Sequence, residues 1–235
     1  MNASDESNWA SKVDRLEVSQ EVADAGFNIE GKRPAGAQQG FGRLWQRRYA
    51  TDVGTSVTPQ QLVADWKVRF PQYWPDGATF HLALTGMEPG TVNPIAISSG
   101  AGLTISTGIF VLYSDDECFT FMCPEGHMFG GWITFGALES ETGSTVAEVK
   151  ILIRTSDPLY ELGWPVMKRK EDTFWSATLV NLARDHGVEA PVVTETTTCV
   201  DRKRLWRNWS NVRHNSGVRS AWHAARSPFR SSKAT

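Results

Sequence analysis

The chain has 235 residues, 40% hydrophobic and 21% charged, with a formal net charge of −2. That is enough apolar material for one large domain, or one domain with extensions. It excludes a chain drawn to nucleic acid or membrane by overall charge. The average hides an asymmetry. Residues 201–235 carry nine Lys or Arg and one acid, so an acidic body (balance −10) is joined to a basic tail (+8). Cys118, Cys123 and Cys199 are too few for a disulfide framework. No signal-peptide pattern is visible and no run approaches about 18 apolar residues, so a cytoplasmic location is expected.

Residues 1–42 are expected to form an N-terminal extension and linker. Trp9, Val13 and Leu16 fall at helical spacing, and 32–42 is rich in Gly, Ala, Gln and Pro. The first strand is expected over Leu44–Val53, with Trp45, Tyr49, Thr51 and Val53 on one face. Thr58-Pro59-Gln60-Gln61 is a helix start: a capping Thr, a first-turn Pro, and a Gln placed to reach back. Leu62, Val63, Trp66 and Phe70 make its apolar stripe, and Pro71 and Pro75 end it.

A run of strands follows, expected near Phe80–Thr85, Thr91–Ser98, Leu103–Tyr113, Glu117–Cys123, Phe129–Leu138 and Thr145–Arg154. Short turns such as Ser114-Asp115-Asp116 imply antiparallel neighbours. Cys118 and Cys123 differ by an odd number, which puts them on opposite faces, unable to bridge or share a metal. In the last strand Thr145, Ala147, Val149, Ile151 and Ile153 face one way. Glu148, Lys150 and Arg154 face the other, where Arg154 is expected to make an exposed ion pair with Glu148 or Asp157. A closing helix is expected from about Glu171 to His186. Its acidic start suits the helix dipole, Trp175, Leu179 and Leu182 form its inner stripe, and Gly187 ends it. Residues 191–235 are expected to be a basic, Trp-containing tail, with the end from Ser227 disordered.

This order resembles the helix-grip arrangement of the SRPBCC (START-like) superfamily, over roughly residues 43–188, within a helix-grip domain expected at 43–190. Three stretches are similar to an uncharacterised bacterial branch of it: Pro124-Glu125-Gly126-His127 with Gly131-Trp132-Ile133-Thr134-Phe135, then Asp157–Leu162, then Glu171–Trp175. The resemblance implies an α+β fold with a curved antiparallel sheet of about seven strands around a long C-terminal helix. It further implies an apolar cavity between them, holding a lipid-like or polyketide-like molecule.

Two alternatives stand beside that function. One is an enzyme of the same fold, cyclising or isomerising by acid–base chemistry. Its candidates are His127, with Glu125 or Asp157 to orient it; the bland reading is a His that shapes its own loop. The other is an interaction protein working through the basic tail. Bases interleaved with Trp206, Trp209 and Trp222 could meet nucleic acid or an anionic membrane, or fold back on the acidic body. Candidate ligand contacts are Trp66, Trp132, Tyr160, Trp164, Trp175, Leu179 and Leu182, each of which could equally fill the core. The five histidines lack ligand spacing on any one element, so no metal is expected. Without a phosphate-binding loop or nucleotide fingerprint, no cofactor is expected either.

Overall fold

The computed structural model describes residues 6–25, 27–98 and 104–226. Its centre is a nine-stranded antiparallel sheet: β1 (Pro34–Ala35), β2 (Leu44–Gly54), β3 (Ala78–Phe80), β4 (Val92–Ser98), β5 (Thr104–Ser114), β6 (Cys118–Pro124), β7 (Phe129–Glu139), β8 (Thr145–Thr155) and β9 (Val193–Asp201). The spatial order is β3-β4-β5-β6-β7-β8-β2-β9, with β1 paired to β6. Four α-helices accompany it among the described residues, besides short 3-10 turns: α1 (Gln20–Asp24), α2 (Pro59–Arg69), α3 (Pro158–Asp185) and α4 (Ser216–Arg226). This is the expected α+β helix-grip architecture, with two more strands than the sequence pattern announced. No helix among the described residues is long and apolar enough to cross a membrane.

The inner face follows the alternation of β8 and β7. Val149, Ile151, Ile153, Ile133 and Phe135 are buried against α2 and α3. The Thr58 cap forms as expected: its hydroxyl accepts from Gln61 N, and the Gln61 side chain accepts from Thr58 N. The helix so started carries Trp66, wholly buried with Phe119 and Phe135 edge-on at 6.0 and 5.5 Å.

The expected strand Phe80–Thr85 is shorter, Ala78–Phe80. Beyond it, Ala83 N donates to the Asn93 side chain instead of a neighbouring strand. The closing helix, conversely, is longer than expected. It begins at Pro158, not near Glu171, because Asp157 caps it by accepting from Leu159 N and Tyr160 N. Pro165 and Gly163 mimic a break, yet the helix runs through them, held by Trp164 stacked on Trp45 at 5.5 Å. Glu171 and Asp172 therefore sit mid-helix and serve no dipole. Gly187 does end it, at φ +89°.

The flanking segments pack on the sheet. No helix forms over Trp9–Leu16: Leu16 N donates to Lys32 O, and Leu16 is buried with Ile29 and Phe110 on the outer face. The Gly-rich stretch 32–42 is ordered by close approach; a Cβ on Gly40 would stand 2.7 Å from the Arg154 Cβ. Residues 193–201, read from sequence as the start of a tail, form β9 on the free edge of β2. Its Thr, Val and Cys residues suit a strand, but it is polar on both sides and showed no apolar alternation. The expected disorder from Ser227, and the outermost tail bases and Phe229, lie outside the described residues, as does Leu103.

Candidate functional site

Between the β3–β7 half of the sheet and the middle of α3 lies a cavity of about 290 Å³. Ile95, Ile97, Ile105, Ile109, Phe121 and Ile133 wall it from the strands. Tyr160, Met167, Phe174 and Trp175 wall it from the helix, and Trp74 closes one side. Ser98 and Lys170 are its exposed members and mark the rim. The polar groups that border it from within the fold are His127, Glu171 and Cys123, all buried.

His127 is set by its turn. His127 N donates to Pro124 O at 3.0 Å, and Gly126 takes φ +90°. Gly126 could not carry a side chain, since a Cβ would fall 2.2 Å from His214 O. The turn is pinned from the C-terminal segment by Ser216 N donating to Gly126 O at 2.9 Å. The imidazole Nδ1 accepts from Phe129 N at 3.1 Å. Burial lowers its pKa from 6.5 to about 4, so the ring is neutral near pH 7.

Glu171 is the residue the sequence reading left out. It is buried against Arg47, whose side chain is wholly enclosed and also meets Asp172 and, at 3.2 Å, Glu195. Lys168 joins the group, 2.9 Å from Asp172 and 3.1 Å from Glu195. Three carboxyls thus face two cations, and Glu171 is the most deeply buried of the three. Burial raises its pKa, against the pull of Arg47. Arg47 shares parity with Trp45 and Tyr49 on the inner face of β2, so alternation alone places it inside. A charged residue in that register was the available signal.

The candidates named from sequence divide. Tyr160 and Trp175 border the cavity. Its phenol hydroxyl is 3.0 Å from Ser216 Oγ and accepts from Gly217 N at 3.0 Å. Trp66, Leu179 and Leu182 are core with no cavity surface. Trp164 is occupied by its stack on Trp45. Trp132 is on the outer face of β7, near Gly36. Neither carboxylate proposed as a partner for His127 contacts it. Glu125 pairs with Arg33 at 2.6 Å, and Asp157 caps α3 and accepts from Asn215 Nδ2 at 2.8 Å. Arg154 is also corrected. It does face away from the core, but that face is covered there, so it is 1% exposed. It donates to Gly42 O and Lys203 O, both at 2.7 Å, and pairs with Asp201, while Glu148 pairs with Arg48 and Lys150. Cys118 and Cys123 are free, as their parity requires.

Sheet order, closing helix and the cavity between them define an α+β helix-grip protein. This is the helix-grip architecture that the order of elements in the sequence implied. No protein-family model matches the chain, and no curated protein sequence does. Among solved structures it is similar to the di-domain ARO/CYC protein StfQ from the steffimycin biosynthetic pathway. The identity is 7% and the TM-score 0.46, over 60% of this chain and 50% of that one, so the chain spans half of StfQ's length. A Staphylococcus epidermidis protein is 17% identical with TM-score 0.43, over 62% of this chain and 92% of its own. Major latex-like protein 151 from Panax ginseng is 15% identical with TM-score 0.34, over 62% and 99%.

Proposed function

We propose that the protein binds a small, largely apolar molecule in the cavity between β3–β7 and α3. The observation that carries this is a cavity of about 290 Å³ between sheet and helix, open at its rim and walled almost wholly by aliphatic and aromatic side chains. Interiors are normally packed to the density of organic crystals, and a void of this size forfeits dispersion contacts that a ligand would restore. A dry apolar cavity of roughly 150 Å³ accepts benzene, so this one suits about two fused rings or a chain of similar bulk. Exposed Lys170 and Ser98 stand at the rim, where a polar end could meet water. Acid–base catalysis by His127 is the weaker reading. Its Nδ1 is committed to the backbone and its pKa of about 4 is low for a base near neutrality.

The test is native mass spectrometry of the purified protein, with calorimetric titration by 2-isopropenylnaphthalene. Copurified apolar mass or 1:1 binding with a negative heat-capacity change is expected. An empty protein that takes up no hydrocarbon would refute the reading.

A further inference from the structure

We propose that His127 is a fixed, neutral hydrogen-bond donor that selects ligands bearing a carbonyl-type acceptor oxygen on an apolar frame. This rests on the binding function proposed above and names the class of molecule the cavity prefers.

The tautomer follows from the hydrogen bond already described. A backbone N–H can only donate, so Nδ1, accepting from Phe129 N, carries no proton. The proton of the neutral ring is then on Nε2. That nitrogen has no hydrogen-bond partner among the described residues. It is also not sealed off, in contrast to the enclosed and unpartnered Trp66 Nε1. The ring itself is 7% exposed and borders the cavity. With no protein partner, this donor is left to whatever water enters an otherwise apolar cavity, and an acceptor oxygen on a bound ligand would take that water's place. The Trp74 and Trp175 Nε1 groups also belong to cavity-lining residues and also lack partners, but both are enclosed like that of Trp66, so Nε2 of His127 is the more accessible donor. The Tyr160 hydroxyl is engaged by Ser216 and Gly217, and Glu171 Oε2 by Arg47.

The donor is preorganised. Gly126 at φ +90°, the Pro124 O contact and the Ser216 clamp fix the turn, and the Phe129 contact fixes the ring. Burial also keeps the imidazole uncharged across the neutral range. One neutral N–H satisfies a ketone, aldehyde or ester oxygen. It does not compensate the burial of a carboxylate beside it, which costs far more and would face acidic Glu171; Lys170 could pair with a carboxylate only at the exposed rim, away from this donor. The preference is therefore for neutral oxygenated molecules over acids of the same shape.

A matched set of probes tests this on the full chain. 2-Acetylnaphthalene carries a ketone oxygen where 2-isopropenylnaphthalene carries a methylene, and 2-naphthoate carries an anion. Calorimetry should find the ketone about fivefold to tenfold tighter than the hydrocarbon, unchanged between pH 6 and 8, and naphthoate weakest. In His127→Phe the ketone preference should fall below about twofold while the hydrocarbon still binds. His127→Gln, which can accept from Phe129 N and donate inward, should restore part of it. Should either variant fold poorly, long-range ¹⁵N–¹H spectra of the wild type supply the second readout. Nε2 should be the protonated nitrogen and should shift with ketone but not with hydrocarbon. Equal affinity for ketone and hydrocarbon would overturn the donor role and leave the cavity function standing. Tightest binding of naphthoate would also overturn it. Failure of every probe to bind would overturn both readings.

Discussion

The interface between α3 and the sheet has two unlike halves. Toward its C-terminal end, Leu179, Leu182 and Ala183 are wholly buried with Tyr49, Leu62 and Trp66, and none of them borders the cavity. Toward its middle, Met167, Phe174 and Trp175 face Ile109, Phe121 and Ile133 across a void. What differs is the filler. In the solid half α2 lays Trp66 onto Phe119 and Phe135, a bulky plug between helix and sheet. In the open half no second helix intrudes, and aliphatic side chains from β4, β5 and β7 do not span the gap. One helix thus serves as core on one turn and as cavity wall on another. Stability should reside mainly in the first half and binding in the second.

Trp66→Ala breaks the solid half most severely. It removes a fully buried indole and leaves a second cavity, so roughly 3–5 kcal/mol of stability should be lost. Denaturant unfolding reads this. Hydrocarbon affinity of the folded fraction should stay within about twofold. A comparable loss of binding would mean the halves are not separable.

The seam between the halves is Arg47. Arg47→Leu leaves Glu171 buried without its cation, a change that costs about 3–5 kcal/mol when a buried pair is broken. The double variant Arg47→Leu with Glu171→Leu should recover much of that, because the orphaned carboxyl is gone. If the double variant is no better than the single one, Arg47 acts chiefly through Asp172 and Glu195 on the helix edge and β9.

How far this division could be read from the amino-acid sequence depends on the residue. The stripe Trp175, Leu179, Leu182 and the alternation of β8 were legible, because helical and strand periods write burial directly into spacing. Which part of the stripe meets a void was not. That depends on the volume of partners from distant strands and on where Trp66 lands, neither of which is a local property. Arg47 is legible by parity, although a charge in an inner-face register runs against the usual pattern of burial. The Gly-rich 32–42 segment reads as a flexible linker because composition does not separate freedom from close packing; Gly40 against Arg154 is the second case. The start of α3 was masked by Pro165, whose lost hydrogen bond is outweighed by tertiary packing.

The cavity half should also govern the response to pH. His127 titrates at about 4 in the folded protein against 6.5 in an unfolded chain. Its contribution is therefore complete above about pH 6.5 and is lost as pH falls toward 4, at up to about 1.4 kcal/mol per pH unit. Glu171 has the opposite sign. Its pKa is raised by burial, so its contribution is complete below the ordinary carboxylate range and is lost as pH rises through the folded value. Unfolding free energies between pH 6.5 and 5 should decline by roughly one to two kcal/mol from His127, a slope absent in His127→Gln. A His127→Gln curve parallel to wild type would show that the ring is not desolvated as its burial implies.

The smallest stability effect should accompany the largest binding effect, in Ile133→Phe. Ile133 is 8% exposed and faces the void from β7. A phenyl ring there extends into empty space instead of into packed neighbours. The usual cost of enlarging a core residue, about 1–3 kcal/mol, should shrink toward zero, since the strain term vanishes while buried apolar area grows. The same ring occupies volume a bicyclic ligand needs, so calorimetry should find at least about a tenfold loss of 2-isopropenylnaphthalene affinity, equivalent to roughly 1.4 kcal/mol. At Leu179, on the solid half, the equivalent enlargement to Phe has no space to enter and should destabilise without touching affinity. Were Ile133→Phe to destabilise as much as Leu179→Phe, the void would not be available to an added ring, and the two halves of the interface would be alike after all.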